Sequence, residues 1–194
     1  MRFPGYYLPW EKVRLDSLGY FSGGGTPDPT NSNYWKGNIP WVSSSDLEEN
    51  NIRKINISRY ITEDAIIHSA TKICYPSVIM IVSRVGVGKV AYSDTPICTS
   101  QDFINFHNIK CNVIFMAYLL LHLMKRKVNE TQGTSIKGVA STDIKSMPVA
   151  VPDLAEQNQI ASVLDSLFMK QTTEKGIFKS LQKQKKYLLR NIFI

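Results

Sequence analysis

The chain has 194 residues, 43% of them hydrophobic, and a formal net charge of +7 with a pI near 9.3. This length and composition suit one domain with a packed core, and the basic excess favours nucleic acid over acidic protein partners. Three cysteines outside CxxC spacing and three scattered histidines argue against a disulfide framework or a zinc site, and favour a reducing compartment. With neither a signal peptide nor an apolar run long enough for a membrane span, the sequence predicts a soluble cytoplasmic protein.

The N-terminal quarter predicts a short element followed by a long ordered loop. Residues 10–18 (WEKVRLDSL) form the short element, and residues 22–47 are so rich in Gly, Pro, Asn and Ser that most of them must be loop. The loop also contains Trp35 and Trp41, which either anchor it to the core or belong to a loop that presents backbone amides to a ligand. Its three consecutive glycines lack the spacing of a phosphate-binding loop, which argues against nucleotide binding.

The middle of the chain predicts strands joined by a glycine turn. Residues 51–57 are predicted as a strand, and Thr62 as the cap of a short helix ending at Ile67. The β-branched run at 78–82 predicts a buried strand.

That strand leads into the sequence SRVGVGKV, residues 83–90, where two glycines permit a tight turn before a return strand. Arg84 and Lys89 flank the glycines. Such a hairpin tip can approach a phosphate or a base edge closely. A solvated hairpin turn explains the same residues equally well.

After the hairpin, residues 95–106 are predicted as a strand. Asn112 then caps an apolar helix over 113–124, which the basic triplet at 125–127 is expected to end, since cations are favourable at a helix C-terminus. The remainder before the last helix is predicted as a polar segment, residues 130–143, and an extended segment, residues 144–151.

The last fifth of the chain predicts one long helix. Asp153 is expected to cap it, with Glu156 completing a reciprocal capping pair. A helix from Leu154 to Asn191 would be about 57 Å long. Its apolar residues recur every three or four positions and form a stripe. The stripe contains Ile160, Val163, Leu164, Leu167, Phe168, Ile177, Leu181, Leu188 and Ile192.

A helix of this length cannot cover its stripe on a domain of this size. The stripe therefore predicts an antiparallel helix pair, formed with a second copy or a related chain, although the polar residues 170–174 interrupt a strict coiled coil. The alternative is a helix that folds back near Gly176 as two shorter pieces. From residue 175 onward the helix carries six basic residues and no acid, which suits a nearby polyanion.

The sequence offers no set of catalytic residues. It contains no GxSxG motif, no cysteine with a plausible histidine partner, and neither the Asn/Asp-Pro-Pro-aromatic motif nor the glycine-rich cofactor loop of a DNA amino-methyltransferase. Asp143 and Lys145 form a loose D-x-K, but no partner acid lies at the spacing that a nuclease needs. We therefore expect a protein that is not an enzyme.

The combination of motifs resembles one half of a type I restriction-modification specificity (S) subunit. The resemblance covers almost the whole chain in family order. Its carrying segments are Trp10…Leu18, Gly25-Thr26-Pro27, residues 34–42 (YWKGNIPWV), Asp46-Leu47, Ser83-Arg84 with the glycine turn, Gln132-Gly133-Thr134, Ile144, residues 148–157 (PVAVPDLAEQ), Ile160, Leu164 and residues 181–189. In the glycine turn the family often has Gly-Thr-Ile/Val-Gly, whereas this chain has Val85-Gly86-Val87-Gly88 and lacks the hydroxyl.

The resemblance implies an α+β fold, in which a target recognition domain of mixed strands and helices (residues 1–151) precedes a long spacer and dimerisation helix (residues 152–194). It implies double-stranded DNA, DNA adenine methyltransferase subunits and, through the complex, a restriction subunit as partners. S-adenosylmethionine, ATP and Mg would belong to those partner subunits, and this chain would bind no cofactor. Since one unit is present where a complete S subunit has two, the chain is expected to form a homodimer or to pair with another half S subunit.

These considerations give two sets of candidate residues. The expected DNA-binding residues are Thr26, Ser43, Ser44, Arg84, Gly86, Lys89, Gln132, Thr134 and Lys137. The expected helix interface consists of Ile160, Val163, Leu167, Ile177, Leu181 and Leu188. The alternative function is a protein-interaction module that does not bind DNA and uses the helix as an oligomerisation arm.

Overall fold

The computed structural model describes residues 2–130 and 138–193. Within these residues the chain forms ten strands and four α-helices, with short 3-10 turns at Leu15–Leu18, Ser32–Trp35 and Ser44–Asp46. The strands are β1 Glu11–Arg14, β2 Tyr20–Gly23, β3 Ile39–Val42, β4 Arg59–Ile61, β5 Ile73–Cys74, β6 Val78–Val82, β7 Val90–Ser93, β8 Ile97–Thr99, β9 Phe103–His107 and β10 Pro148–Val151. The helices are α1 Glu63–Ile67, α2 Val113–Glu130, α3 Ser141–Lys145 and α4 Leu154–Ile192.

The strands form two four-stranded sheets and one two-stranded sheet. The first sheet has the order β2-β9-β6-β7 and is antiparallel throughout. The second has the order β4-β3-β8-β5, in which β3 and β8 run parallel and the other pairs antiparallel. The strands β1 and β10 pair antiparallel by themselves. This architecture confirms the α+β fold with a long C-terminal helix.

Strand β6 lies at the centre of the core because both of its faces are covered. Ile79 and Ile81 belong to the apolar cluster that contains the buried side of α2, whereas Met80 and Val82 pack into the cluster that contains Val42 and Ile97 of the second sheet. All five β6 residues are buried. A strand covered on both faces is continuously apolar, which is why the run at 78–82 was recognisable.

The base of α4 is held by polar contacts to α2 and to the N-terminal segment. The Asp153 carboxylate accepts from the Glu156 amide at 2.9 Å, which confirms the predicted cap. The Glu156 carboxylate makes no hydrogen bond with the Asp153 amide, so the predicted reciprocal capping pair is wrong. The Glu156 side chain is instead buried between Arg2 and Trp10. The Arg2 guanidinium forms an ion pair with the Glu156 carboxylate, and the Trp10 indole N–H donates to it at 3.1 Å. The hydrogen bond and charge of Arg2 lower the pKa of the Glu156 carboxyl.

A second polar contact fixes α4 one helical turn before it leaves the domain. Asp165 forms an ion pair with Arg53 and accepts from the Tyr118 hydroxyl of α2 at 3.1 Å. Burial, together with the charge of Asp165, raises the pKa of Tyr118 to about 12, so its hydroxyl remains a donor at neutral pH. Every residue from Met169 to Phe193 is exposed. The helix therefore projects from the domain in a direction that these contacts set.

The helix α4 continues through Gly176 to Ile192 without a break, so the alternative of two shorter pieces is wrong. A single glycine costs a helix only about 1 kcal/mol relative to alanine, which its neighbours can offset.

The structure corrects four local predictions. Residues 51–57 form no strand, because the Asn51 side chain accepts from the amides of Arg53 and Lys54 and holds a turn. The strand predicted at 95–106 is two strands, separated by a turn at 100–102. The helix α2 continues past the basic triplet to Glu130. The segment predicted as extended begins with Ile144 inside α3, and only residues 148–151 form a strand.

Candidate nucleic-acid interface

The turn between β6 and β7 presents Arg84 to solvent. The Val82 amide donates to the Lys89 carbonyl at 3.0 Å and closes the turn. Gly86 and Gly88 have φ values of +80° and +101°, which L side chains rarely adopt, so glycine is required at both positions. Arg84 and Val85 are exposed at the tip. The turn thus holds one guanidinium outward on a short backbone loop.

The turn packs against the 3-10 segment that contains Ser43 and Ser44. The Lys89 ammonium donates to the Ser44 carbonyl at 3.0 Å, and a Cβ on Gly86 would lie 3.6 Å from the Ser44 hydroxyl. Ser44 is buried. The structure therefore brings Ser44, Gly86 and Lys89 together, and shows that Lys89 already supports the turn.

Arg59, which the sequence analysis did not identify, holds the Ser43 loop in place. Its guanidinium donates to the Ser43 hydroxyl at 2.7 Å, forms an ion pair with Asp46 and lies 4.6 Å from the Trp41 ring centroid. The Asp46 carboxylate in turn accepts from the Ser43 amide at 2.7 Å. A lone arginine in a short strand gives no sequence signal for this network.

Thr26 lies on a loop that is fixed to the second sheet. The Gly25 amide donates to the Thr99 carbonyl at 2.8 Å, and the Trp41 indole N–H donates to the Gly25 carbonyl at 2.9 Å. Trp41 is therefore an anchor of the loop. The Thr26 hydroxyl donates to the Gln101 side chain.

The loop that contains Thr26 is linked to the glycine turn through residues 101 and 102. The Thr26 hydroxyl contacts Gln101, and the Ser83 amide donates to the carbonyl of the next residue, Asp102, at 2.8 Å. The loops that contain Thr26, Ser43–Ser44 and Arg84 are therefore neighbours on one surface.

Two further parts of the chain border this surface. A cleft of about 300 Å³ separates the turn from the C-terminal part of α2, and Lys89 and Lys125 both line it. The Val139 amide donates to the Ser83 carbonyl at 2.7 Å, so the chain after residue 137 lies against the turn. Gln132, Thr134 and Lys137 fall outside the described residues.

Metal ligands and thiols are two kinds of side chain in the described residues that could carry chemistry. In the part of the chain that the structure describes, no group of three His, Cys, Asp or Glu side chains is placed to hold a metal ion. Burial raises the pKa of Cys98 to about 12 and of Cys111 to about 11, so both thiols are protonated at neutral pH and are poor nucleophiles. Likewise, none of the described helices is both long and apolar enough to cross a membrane.

A known protein family matches most of the chain. The family described as "Type I restriction modification DNA specificity domain" matches residues 7–183. The chain belongs to this family.

Relatives of this specificity domain occur in archaea and bacteria. The chain is 29% identical over 163 residues to the type I restriction enzyme MjaIX specificity subunit of Methanocaldococcus jannaschii, a match that covers 80% of this chain and 37% of the relative. It is 30% identical over 159 residues to the EcoR124I/EcoR124II specificity subunit of Escherichia coli, covering 78% and 39%. The match thus spans less than half the length of either relative.

A solved structure shows the same fold. The chain aligns with the HsdS subunit from Thermoanaerobacter tengcongensis at a TM-score of 0.63 and 19% identity, over 90% of this chain and 42% of that one.

The second candidate set of this specificity domain lies along α4. Ile160 packs against the core, and Val163 is half-buried at the base of the helix. Leu167, Ile177, Leu181 and Leu188 are 50–59% exposed. Apolar side chains exposed in a row on a projecting helix are typical of a surface that a partner covers.

Proposed function

We propose that this chain is a DNA sequence-specificity subunit of a type I restriction-modification system and reads a short half-site of a bipartite target. The observation that carries the proposal is the glycine turn of β6 and β7, which holds the exposed Arg84 beside the Thr26 and Ser43–Ser44 loops in a domain of this family. A guanidinium on a rigid turn suits the O6 and N7 atoms of guanine or a phosphate.

The proposed DNA contacts divide by chemistry. Arg84 reads a base edge or a phosphate, while Lys89 supports the turn and adds positive charge behind it. Ser43, Ser44 and Gly86 shape the surface through the contacts described above, and Thr26 presents its hydroxyl at the edge. Gln132, Thr134 and Lys137 belong to the proposed set on their chemistry alone. Arg59 is added as the residue that positions Ser43.

The proposed division of labour assigns residues 1–151 to target recognition and residues 152–194 to spacing and dimerisation. A second copy, or another half S subunit, would pair its α4 antiparallel with this one. Since α4 is about 58 Å long, the two recognition domains would lie at opposite ends of the pair and read half-sites separated by an unread spacer. Identical domains related by a two-fold axis would read inverted, identical half-sites.

The proposed chain is not catalytic and acts in the cytoplasm. It would position DNA adenine methyltransferase subunits, which bind S-adenosylmethionine and flip the target base, and a restriction subunit would join through that complex.

The test is DNA selection with the chain in complex with a type I methyltransferase subunit. From duplexes with randomised sequence the complex should enrich one gapped motif, because the turn offers groups that distinguish base edges. Its affinity should fall at least tenfold between about 50 and 200 mM salt, since phosphate contacts release counterions. Retention of DNA without sequence enrichment would contradict the proposal, and failure to retain DNA at any salt concentration would favour a protein-interaction module.

A further inference from the structure

We propose that two copies of α4 pair antiparallel in one register, centred on Thr172, in which Lys170 of each copy faces Glu174 of the other. This inference rests on the proposed function, which needs two recognition domains held in a fixed relation. It goes beyond that function because it selects one partner and one register from residues of this chain. The partner is a second copy.

Six apolar residues of the stripe on α4, together with four polar residues, form one row whose spacing alternates between four and three residues. The positions are Glu156, Ile160, Val163, Leu167, Lys170, Glu174, Ile177, Leu181, Gln184 and Leu188. This is the heptad spacing of a helix that packs along another helix. The first two positions of this row, Glu156 and Ile160, contact the domain. From Leu167 onward the row lies about 150° around α4 from Ala161 and Asp165, which also contact the domain. The domain of the same chain therefore leaves the outer part of the row uncovered.

The two charged residues in the middle of the stripe are complementary under a two-fold axis. In an antiparallel pair centred on residue 172, Lys170 of one copy faces Glu174 of the other, and the two-fold axis repeats this ion pair. The same register places Leu167 against Ile177 and Val163 against Leu181. Each apolar residue of the central layers thus meets an apolar residue, and each charge meets the opposite charge.

Other arrangements lack this match. A shift of one heptad in either direction places Lys170 against Leu181 or Leu167, and leaves both charges facing apolar side chains. A parallel pair places the Lys170 residues of the two copies against each other, and likewise the Glu174 residues. Polar residues at such positions are known to specify register and orientation in helix pairs. Lys170 and Glu174, which interrupt the apolar stripe, therefore select one register.

A cavity at the base of α4 supports the same register independently. It has a volume of about 380 Å³ and lies on the stripe side of the helix. Its lining consists of Arg2, Phe3, Pro4, Trp10, Glu156 and Ile160. In the proposed register, Leu188 of the second copy lies at the level of Glu156 and faces this cavity. Because Arg2 already neutralises Glu156, an apolar side chain meets no unpaired charge there.

The test reverses the charge of Lys170 in one variant and the charge of Glu174 in another. Lys170→Glu and Glu174→Lys each place like charges in both central contacts, so each homodimer should dissociate roughly tenfold more readily than the wild type. An equimolar mixture of the two variants should restore dimers, since every contact again joins opposite charges. Sedimentation across a dilution series measures the dissociation constants. Lys179→Glu, on the opposite face of α4, is the matched control and should leave the constant unchanged.

Disulfide cross-linking reads the register directly. In a Cys111→Ser background, chains with Val163→Cys mixed with chains with Leu181→Cys should form a covalent dimer, whereas neither variant alone should do so. The register is wrong if neither charge substitution changes the dissociation constant of the dimer and the mixed cysteine variants fail to cross-link. Enrichment of a gapped DNA motif would in that case still support the proposed function. A chain that enriches no DNA motif but shows the charge response would overturn the proposed function and leave the register intact.

Discussion

Leu181→Glu is expected to convert the proposed dimer into monomers. Leu181 is 57% exposed in the isolated chain and faces Val163 of the second copy in the proposed pair. A carboxylate buried there without a partner costs about 3–5 kcal/mol per site, and the two-fold axis repeats the site. The dissociation constant should therefore rise by more than a hundredfold. Light scattering at micromolar concentration measures the change.

Two comparisons separate this effect from unfolding. The thermal midpoint of the Leu181→Glu domain should match that of the wild type, since Leu181 lies beyond the part of α4 that contacts the core. Lys179→Glu, on the other side of the helix, should remain dimeric. An intact dimer of Leu181→Glu at the same concentration would show that the stripe is not the interface.

Arg84→Ala is expected to weaken sequence-specific DNA binding by about 1–3 kcal/mol, or roughly 5- to 150-fold. The exposed guanidinium at the tip of the glycine turn is the group on the proposed surface best suited to a bidentate contact with guanine. Its loss should reduce the discrimination between the target and other sequences. Equilibrium binding to the selected motif and to a scrambled duplex, at matched salt, measures both quantities.

Lys110→Ala is the control for overall charge. Lys110 follows β9 at the end of the sheet remote from the turn, and its ammonium donates to the Ser17 carbonyl at 3.1 Å. Removing it lowers the net charge by the same amount as Arg84→Ala, but it should leave specific affinity within about twofold of wild type, because the charge lies far from the proposed contact surface. Equal losses in the two variants, or none in Arg84→Ala, would contradict the role assigned to Arg84.

The elements that could be predicted from the sequence are those with local signals. The buried strand β6, the Thr62 cap of α1 and the Asp153 cap of α4 all depend on residues within a few positions of each other. The length of α4 was also predictable, since its periodic pattern contains no proline. These signals act before tertiary contacts form, so a single sequence displays them.

The remaining features depend on contacts between distant residues. Residues 51–57 contain three isoleucines and were predicted as a strand, but the Asn51 side chain forms a turn there. The parallel pairing of β3 with β8 joins residues more than fifty positions apart, and no local pattern indicates it. Arg53, which holds Asp165 and so orients α4, lies in the same misassigned segment.

The candidate site was predictable in its chemistry but not in its geometry. Arg84 and the glycine turn were predictable because two glycines permit a tight turn and two cations flank them. The hydrogen bond from Lys89 to Ser44, and the network of Arg59 with Ser43 and Asp46, bring together loops that are far apart in sequence. Such contacts decide which side chains remain available to the proposed DNA ligand.

The most direct test of the central claim is a map of methylated adenines in cells that produce this chain with its methyltransferase subunit. Two identical recognition domains joined by antiparallel helices should give a palindromic motif with an unread gap, and Leu181→Glu should erase it. An asymmetric gapped motif, or no motif while the same methyltransferase is active with a full-length S subunit, would contradict a symmetric DNA-reading dimer.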